Sequence, residues 1–119
     1  MAGVEELDRR LLSLDIVTHR NGDDLDWDLV YNEAARTGTA LEMNGSPPRL
    51  DLAVERARRA VGMGCLLSID SDAHDLNELY YVRWGISQAR RAWVEPGSVV
   101  NTRSRDELLA WARDKPTRV

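Results

Sequence analysis

Two aspartates and a histidine stand at alternating positions just after the third apolar segment of the sequence. They are Asp70, Asp72 and His74, in the run Asp-Ser-Asp-Ala-His. Side chains of an extended chain point alternately to opposite sides, so residues at this spacing share one face if the strand extends that far. Carboxylates and imidazoles bind manganese, zinc or iron, which polarise phosphates and generate hydroxide near neutral pH. The pattern is sufficient for part of a metal site, and its alternative is a set of turn residues that cap the following helix.

Polar residues also end the two earlier predicted strands. His19 follows the apolar, β-branched stretch Leu14–Thr18, and Asn44 follows Thr39–Met43. The third strand is predicted over Leu66–Asp70. In parallel α/β barrels the working residues collect at the carboxyl ends of the strands, so we expect all these polar residues at one edge of a sheet. Taken alone, His19 is more typical of a structural histidine.

Helical spacing of apolar residues separates the strands. The first helix is predicted from an N-cap at Asp24 or Asp26 to Gly38, the second from Asp51 to about Val61, and the third from Glu78 to Ala92. A fourth helix is predicted after the capping box of Ser104 and Glu107. Before it, Val99–Thr102 is predicted to be a short extended segment. Strands that alternate with helices of this length indicate βαβ units, a parallel sheet and right-handed crossovers. The sequence therefore predicts an α/β fold.

Several consecutive motifs between about Leu14 and Arg113 resemble those of a known family. They are, in order, Trp27–Thr37, Gly38–Asn44, Arg49–Leu52, Ser71–His74, Arg83–Trp93, and Val100–Thr102 with Glu107–Trp111. Together they resemble the C-terminal part of the PHP (polymerase and histidinol phosphatase) domain of bacterial family X DNA polymerases. The resemblance implies a distorted β/α barrel with an active site of up to three metals, often manganese. It also implies phosphoesterase activity, including 3'-5' exonuclease activity on DNA.

The resemblance also implies a set of metal ligands. By position, His19 is similar to the family's histidine at the end of a late strand, and Asp72 and His74 to its final Asp-x-His ligand pair. Asp70 stands where the family has a neutral polar residue, so it is a candidate extra ligand. The cofactor implied is a divalent ion, Mn, Zn or Fe. No catalytic acid or base is assigned.

Two arginines and an asparagine are the candidates for binding phosphate or substrate. Arg49 and Arg83 lie beyond the ends of strands within family-like motifs, where a phosphate would sit, and Asn44 ends the second strand. The fork of an arginine suits phosphate. The alternative for both arginines is that they pair with Asp or Glu and steady the loops.

The sequence also departs from the family pattern. The family's site begins with an N-terminal His-x-His and gathers further ligands before the segment found here, whereas this chain has 2 His in total and reads His19-Arg20 where His-Pro is usual. We therefore expect one domain over residues 1–119, a partial (β/α) barrel of PHP type without its N-terminal half. Such a chain would bind a single ion, and its unpaired strand edges would favour a homo-oligomer or a complementary polypeptide.

Three functions are compatible with these features. The first is a PHP-type metal-dependent phosphoesterase with weak or no activity alone, whose substrate is a phosphate ester or a DNA 3' end. The second is a working enzyme completed across an oligomer or by another chain. The third is a non-catalytic phosphate-binding or assembly module derived from the PHP fold.

Composition limits the other possibilities. The formal net charge is -4 and the pI about 5.1, without the basic excess of a dedicated nucleic-acid-binding domain. No stretch approaches the roughly 18 apolar residues that cross a bilayer, so a cytoplasmic protein without membrane contact is expected. Cys65 is expected to be buried and inert. Because the chain has 4 Trp and no Phe, we predict that Trp84, Trp93 and Trp111 fill the core rather than stack on bases.

Overall fold

Three parallel strands and four α-helices make up the described part of the chain. The computed structural model describes residues 16–17 and 26–114. The strands are β1 (Ile16–Val17), β2 (Ala40–Asn44) and β3 (Leu66–Asp70), and the helices are α1 (Trp27–Thr37), α2 (Val54–Gly62), α3 (Val82–Arg91) and α4 (Arg105–Arg113). Short 3-10 helices cover Leu76–Tyr81, Pro96–Ser98 and Val100–Thr102. The α/β class and the parallel pairing are confirmed, whereas the barrel stays a prediction.

The sheet has the order β1-β2-β3 and two chemically different faces. The register of β2 and β3 runs from Ala40 opposite Leu66 to Asn44 opposite Asp70. One face carries Leu41, Met43, Leu67 and Ile69, all of which lie in the hydrophobic core. By the alternation along each strand, the opposite face carries Glu42, Asn44, Ser68 and Asp70. The sheet therefore presents polar side chains toward the carboxyl ends of its strands.

The predicted signals at the ends of α1 and α4 are confirmed. The Asp26 side chain accepts a hydrogen bond from the Leu29 amide at 3.2 Å, and Gly38 ends α1 with a φ of 70°. At α4, Ser104 and Glu107 each accept a hydrogen bond from the other's backbone amide, at 3.2 and 3.0 Å. These contacts satisfy amides that have no partner inside a helix.

Two other predicted elements differ from the observed ones. The second helix begins at Val54 rather than at Asp51, because the Asp51 carboxylate pairs with Arg49 and is not available as a cap. The helix predicted from Glu78 starts earlier, as a 3-10 helix capped by Asp75, and becomes α-helical only at Val82.

The prediction that three tryptophans fill the core is wrong for two of them. Trp84 and Trp93 are 49% and 78% exposed, and Trp111 is half-buried with its Nε1 donating to the Gly38 carbonyl oxygen at 2.8 Å. The core is filled instead by smaller side chains, with Tyr31 the largest that is fully buried. Small residues of α3 face the sheet, which forces the neighbouring large ones outward.

The single cysteine is buried, as predicted. Cys65 is 2% exposed, and its thiol donates to the Tyr31 carbonyl oxygen at 3.2 Å. Burial raises the pKa of the Cys65 thiol to about 11, so the reactive thiolate is scarce at neutral pH.

The outer edge of β3 is partly covered by the segment before α4. Val99 forms a parallel bridge with Leu67, so the predicted extended piece is limited to one residue. The Asn101 side chain then pairs with both polar backbone groups of Ile69, accepting from its amide at 2.8 Å and donating to its carbonyl oxygen at 2.8 Å. The Asn101 side chain thus pairs with backbone groups that a neighbouring strand would otherwise bind. The part of β3 with an unpaired outer edge is therefore shorter than the strand itself.

Two glycines allow α3 to approach the ends of β2 and β3. A Cβ built on Gly85 would lie 2.7 Å from Cγ2 of Ile69, and one built on Gly45 would overlap the Tyr81 carbonyl oxygen. Gly85 and Ala89 are the buried residues of α3. Contact at this distance fixes the helix over the carboxyl end of the sheet.

The structure has no helix within the described residues that is long and apolar enough to cross a membrane.

We expect Gly45→Ala to lower the free energy of unfolding by about 2–3 kcal/mol, because the new methyl group must push backbone atoms apart. Urea denaturation followed by circular dichroism measures this loss. Gly97→Ala is the control, since a Cβ at Gly97 meets no atom within 4 Å. Equal stability of the two variants would contradict the close approach of α3.

Candidate functional site

A pair of carboxyl groups lies on the polar face of the sheet. Glu42 of β2 and Asp70 of β3 are neighbours on this face, and the Glu42 side chain is 10% exposed. Burial, followed by the interaction with the Asp70 carboxyl group, raises the pKa of Glu42 to about 8, against the weaker influence of Asn44 and Arg49. The Glu42 carboxyl group is therefore largely protonated at neutral pH.

Two buried polar atoms beside this pair lack hydrogen-bond partners. They are Oδ1 of Asp70 and Nδ2 of Asn44. Asn44 uses its other side-chain atom, Oδ1, to accept from the Ser46 amide at 2.9 Å. Its Nδ2 is close enough to Glu42 to lower that residue's pKa, but it makes no hydrogen bond of normal geometry. Because buried polar groups are almost always paired, the two atoms mark a position where a bound ion, water or ligand would be stabilised.

Arg49 connects the carboxylates at this end of the sheet. Its guanidinium donates two hydrogen bonds to Asp51, at 3.1 and 2.9 Å, and lies 3.8 Å from Glu42 and 3.9 Å from Asp72. Asp51 is buried, and its backbone carbonyl oxygen accepts from the Asn44 amide, which ties the loop to β2. In the structure, the positive charge of Arg49 is balanced by these carboxylates. Its predicted contact with phosphate stays a prediction.

The period-two pattern of the motif after β3 does not persist in the structure. The strand ends at Asp70, and Asp72 has a φ of 52°, so the chain turns before the third residue of the motif. The expectation that the two aspartates and the histidine share one face of a strand is therefore wrong. The turn instead directs Asp72 toward Arg49 and leaves His74 exposed.

The ring of His74 is held by its own loop. Its Nδ1 lies 2.8 Å from the backbone carbonyl oxygen of Asp72 and 4.0 Å from the Glu78 carboxylate. A carbonyl oxygen can only accept a hydrogen bond, so this contact requires a proton on Nδ1. In the neutral ring, Nε2 is then the nitrogen with a free lone pair. The side chain is 79% exposed. This is the arrangement by which a histidine commonly presents Nε2 to a metal.

The chemistry of the available donors fits a divalent ion, but the described residues do not bring a full set together. Carboxylates and an imidazole are present, and Asp70 has an unpaired oxygen. Among residues 26–114, no group of three His, Cys, Asp or Glu side chains is placed to hold one ion. His19 lies outside the described residues. The ligand set of His19, Asp72 and His74, with Asp70 as an extra candidate, therefore remains a prediction.

Arg83, the other predicted phosphate-binding residue, lies apart from the carboxylates at the start of α3. It is exposed and lines a pocket of 190 Å³ together with Tyr80, Trp84 and Ser87. A larger open depression of 580 Å³ lies between the end of α1 and α4, and none of its lining residues belongs to the predicted site. Its position at the amino end of β2 separates it from the strand ends where the candidate residues lie.

Sequence reasoning missed Glu42 and the role of Asp51. A signal for Glu42 was present, because an acidic residue stood inside an otherwise apolar predicted strand, where a carboxylate is costly unless paired. The pairing of Asp51 with Arg49 has no comparable signal, since aspartate before a helix is as often a cap.

The raised pKa of Glu42 leads to a pH prediction. Its folded value of about 8 exceeds the ordinary value of 4.5, so its contribution to stability is complete below pH 4.5 and is lost as the pH rises through 8. Wild-type protein should lose stability between pH 5 and pH 9, and Glu42→Gln, which cannot ionise, should lose on the order of 1 kcal/mol less. Urea denaturation in EDTA across this range tests it.

Glu55→Gln is the matched control, because Glu55 is an exposed carboxylate on α2. It should follow the wild-type pH profile. Parallel profiles for wild type and Glu42→Gln would contradict the raised pKa of Glu42.

Comparison with known proteins gives one relative of this chain. No family model matches the sequence. The chain is 36% identical over 98 residues to the DNA polymerase/3'-5' exonuclease PolX of Bacillus subtilis (strain 168). The matched region covers 82% of this chain and 17% of PolX, so the chain spans less than a fifth of the length of that protein. By sequence, the chain is a partial homologue of a DNA polymerase and 3'-5' exonuclease.

Proposed function

We propose that this chain carries the carboxyl-terminal part of a metal-dependent phosphoesterase site of the PHP type. Its substrates would be phosphate esters, including the 3' end of DNA, in keeping with the 3'-5' exonuclease activity of PolX. The observation that carries the proposal is the geometry of His74, whose Nδ1 lies 2.8 Å from the Asp72 carbonyl oxygen while its side chain is 79% exposed. The histidine follows an aspartate at the position of the family's last ligand pair.

The ligands proposed are Asp72, His74 and His19, with Asp70 as a further candidate. Only two histidines exist in the sequence, which favours one ion over a cluster. Three protein ligands and a water are a common open arrangement. When bound, a divalent ion at this site would polarise the phosphate and lower the pKa of a water.

The surrounding residues have a positioning role in this proposal. Arg49 lies 3.9 Å from Asp72 and is itself fixed by the two hydrogen bonds that it donates to Asp51, so it limits where the Asp72 carboxylate can move. The Glu78 carboxylate accepts a hydrogen bond from the His74 amide at 3.0 Å and so holds the loop. The activity of this chain alone should be weak, because one ion provides less charge stabilisation than the multinuclear site of the family.

Calorimetric titration with MnCl₂ and with ZnCl₂ tests the ligand set. Wild type should bind one ion, and Asp72→Asn, His74→Ala and His19→Ala should each weaken binding roughly tenfold or more. Asp75→Asn is the control, since it removes a carboxylate from the same loop yet retains an oxygen that can accept from the Asn77 amide. Its affinity should stay within about a factor of two of wild type.

The same proteins should then be incubated with Mn²⁺ and a 3'-labelled DNA oligonucleotide. Slow release of label that is lost in His74→Ala supports the phosphoesterase. Absence of saturable ion binding by folded protein, or equal binding by all variants, would contradict the proposed site. Ion binding without hydrolysis would favour the non-catalytic phosphate-binding module.

A further inference from the structure

Two exposed aromatic side chains and an arginine form one surface that the carboxylate site does not use. Tyr80 lies in the last turn of the 3-10 helix and is 52% exposed, and Trp84 in the first turns of α3 is 49% exposed. Together with Arg83 and Ser87 they line the 190 Å³ pocket. We call these four residues the Trp84 surface. It begins six residues after His74 in the chain.

The orientation of this surface follows from the packing of α3 on the sheet. Gly85 is buried against Ile69, so the side of α3 that carries Gly85 faces inward. Arg83 and Ser87 each stand two positions from Gly85, which is about 200° around a helix. They must therefore point to solvent. Tyr80 is steadied by the ring of Tyr81, whose centroid lies 4.8 Å away in an edge-on arrangement.

Arg83 differs from three other arginines of the described region in the charge around it. Arg36, Arg49 and Arg59 each pair with a carboxylate at 2.8 to 2.9 Å. Within residues 26–114, Arg83 has neither an ion pair nor a hydrogen bond. An exposed guanidinium that lines a pocket with two exposed rings can accept an anion without first breaking an ion pair.

The size of the pocket limits what it can hold. At 190 Å³ it is smaller than the roughly 300 Å³ at which pockets for drug-sized molecules begin. It is suited to one flat ring or one phosphate rather than to a large ligand. Aromatic faces beside an unpaired arginine are the elements with which proteins bind single-stranded nucleic acid, by stacking on bases and by contacting phosphates.

We propose that the Trp84 surface binds a single-stranded DNA segment, with a base stacked on Trp84 or Tyr80 and a phosphate contacted by Arg83. The choice of DNA rests on the proposed function, whose substrate includes a DNA 3' end. The binding itself needs no metal. The hydroxyl of Ser87 can donate to a base or phosphate oxygen within the same pocket. A strand held here would approach the loop of Asp72 and His74 along the 3-10 helix that joins them.

Fluorescence anisotropy of a labelled deoxythymidine decamer, in EDTA and low salt, tests the proposal. Wild type should bind, and Trp84→Ala and Tyr80→Ala should each weaken binding by about five- to a hundredfold. Arg83→Gln should weaken binding and reduce the dependence of log affinity on log salt by about one phosphate contact. Trp84→Phe keeps an aromatic face and should retain most of the affinity, which separates stacking from misfolding.

Trp93→Ala is the matched control. Trp93 is also exposed and lies beside an arginine, but the Arg58 guanidinium covers its ring at 4.3 Å and it is outside the pocket. Its removal should leave DNA affinity unchanged. Equal loss in Trp93→Ala and Trp84→Ala, or no loss in the three Trp84-surface variants, would overturn the proposal.

Light scattering on the same samples examines the competing occupant, a second copy of the chain. If Trp84→Ala converts a dimer to a monomer without changing DNA affinity, the surface is a self-association interface and the proposal is wrong. Because the binding assay contains EDTA, its result is independent of ion binding. Absence of hydrolysis by the wild-type protein, with DNA binding intact, would contradict the proposed phosphoesterase activity and not the Trp84 surface.

Discussion

The register of β2 against β3 is the constraint on which the rest of the site depends. Asn44 lies opposite Asp70, so the two strands end together and their polar residues fall on one face. A shift of one residue would exchange the faces, placing Glu42 among the helices and Met43 in the polar cluster. The apolar alternation that buries Leu41 and Leu67 therefore also determines which carboxylates meet. Core packing and site chemistry are fixed by the same set of backbone hydrogen bonds.

The loops around that edge are held by contacts of two kinds. Ionic contacts of Arg49 organise the loop after β2, and close backbone packing of Gly45 and Gly85 sets the position of α3 over it. The first kind depends on protonation, and the second depends only on shape. The helix that carries Trp84 is thus positioned independently of the charge state of the carboxylates nearby. The two proposed activities can differ in their sensitivity to pH for this reason.

Much of the fold could be predicted from the sequence, because its signals are local. The β3 strand, the caps of α1, the capping box of α4 and the burial of Cys65 all follow from short patterns. Predictions failed where contacts that form only in the folded chain decide the outcome. Asp51 binds Arg49 instead of capping a helix, and Trp84 is turned outward by its neighbour Gly85. For the site, Asp70 and Asn44 lie at the predicted edge, whereas the turn at Asp72 could not be read from residue spacing.

Asn101 gives the sheet a property that concerns other molecules of the same chain. Its amide occupies the donor and the acceptor of Ile69, two of the groups to which an incoming strand would hydrogen-bond. A foreign strand could extend the sheet past β3 only by displacing that side chain and the bridge at Val99. The Asn101 side chain therefore blocks strand addition at this edge, and strand addition is the first step of edge-to-edge aggregation. The β3 edge of the sheet is in this way protected by a side chain rather than by a full strand.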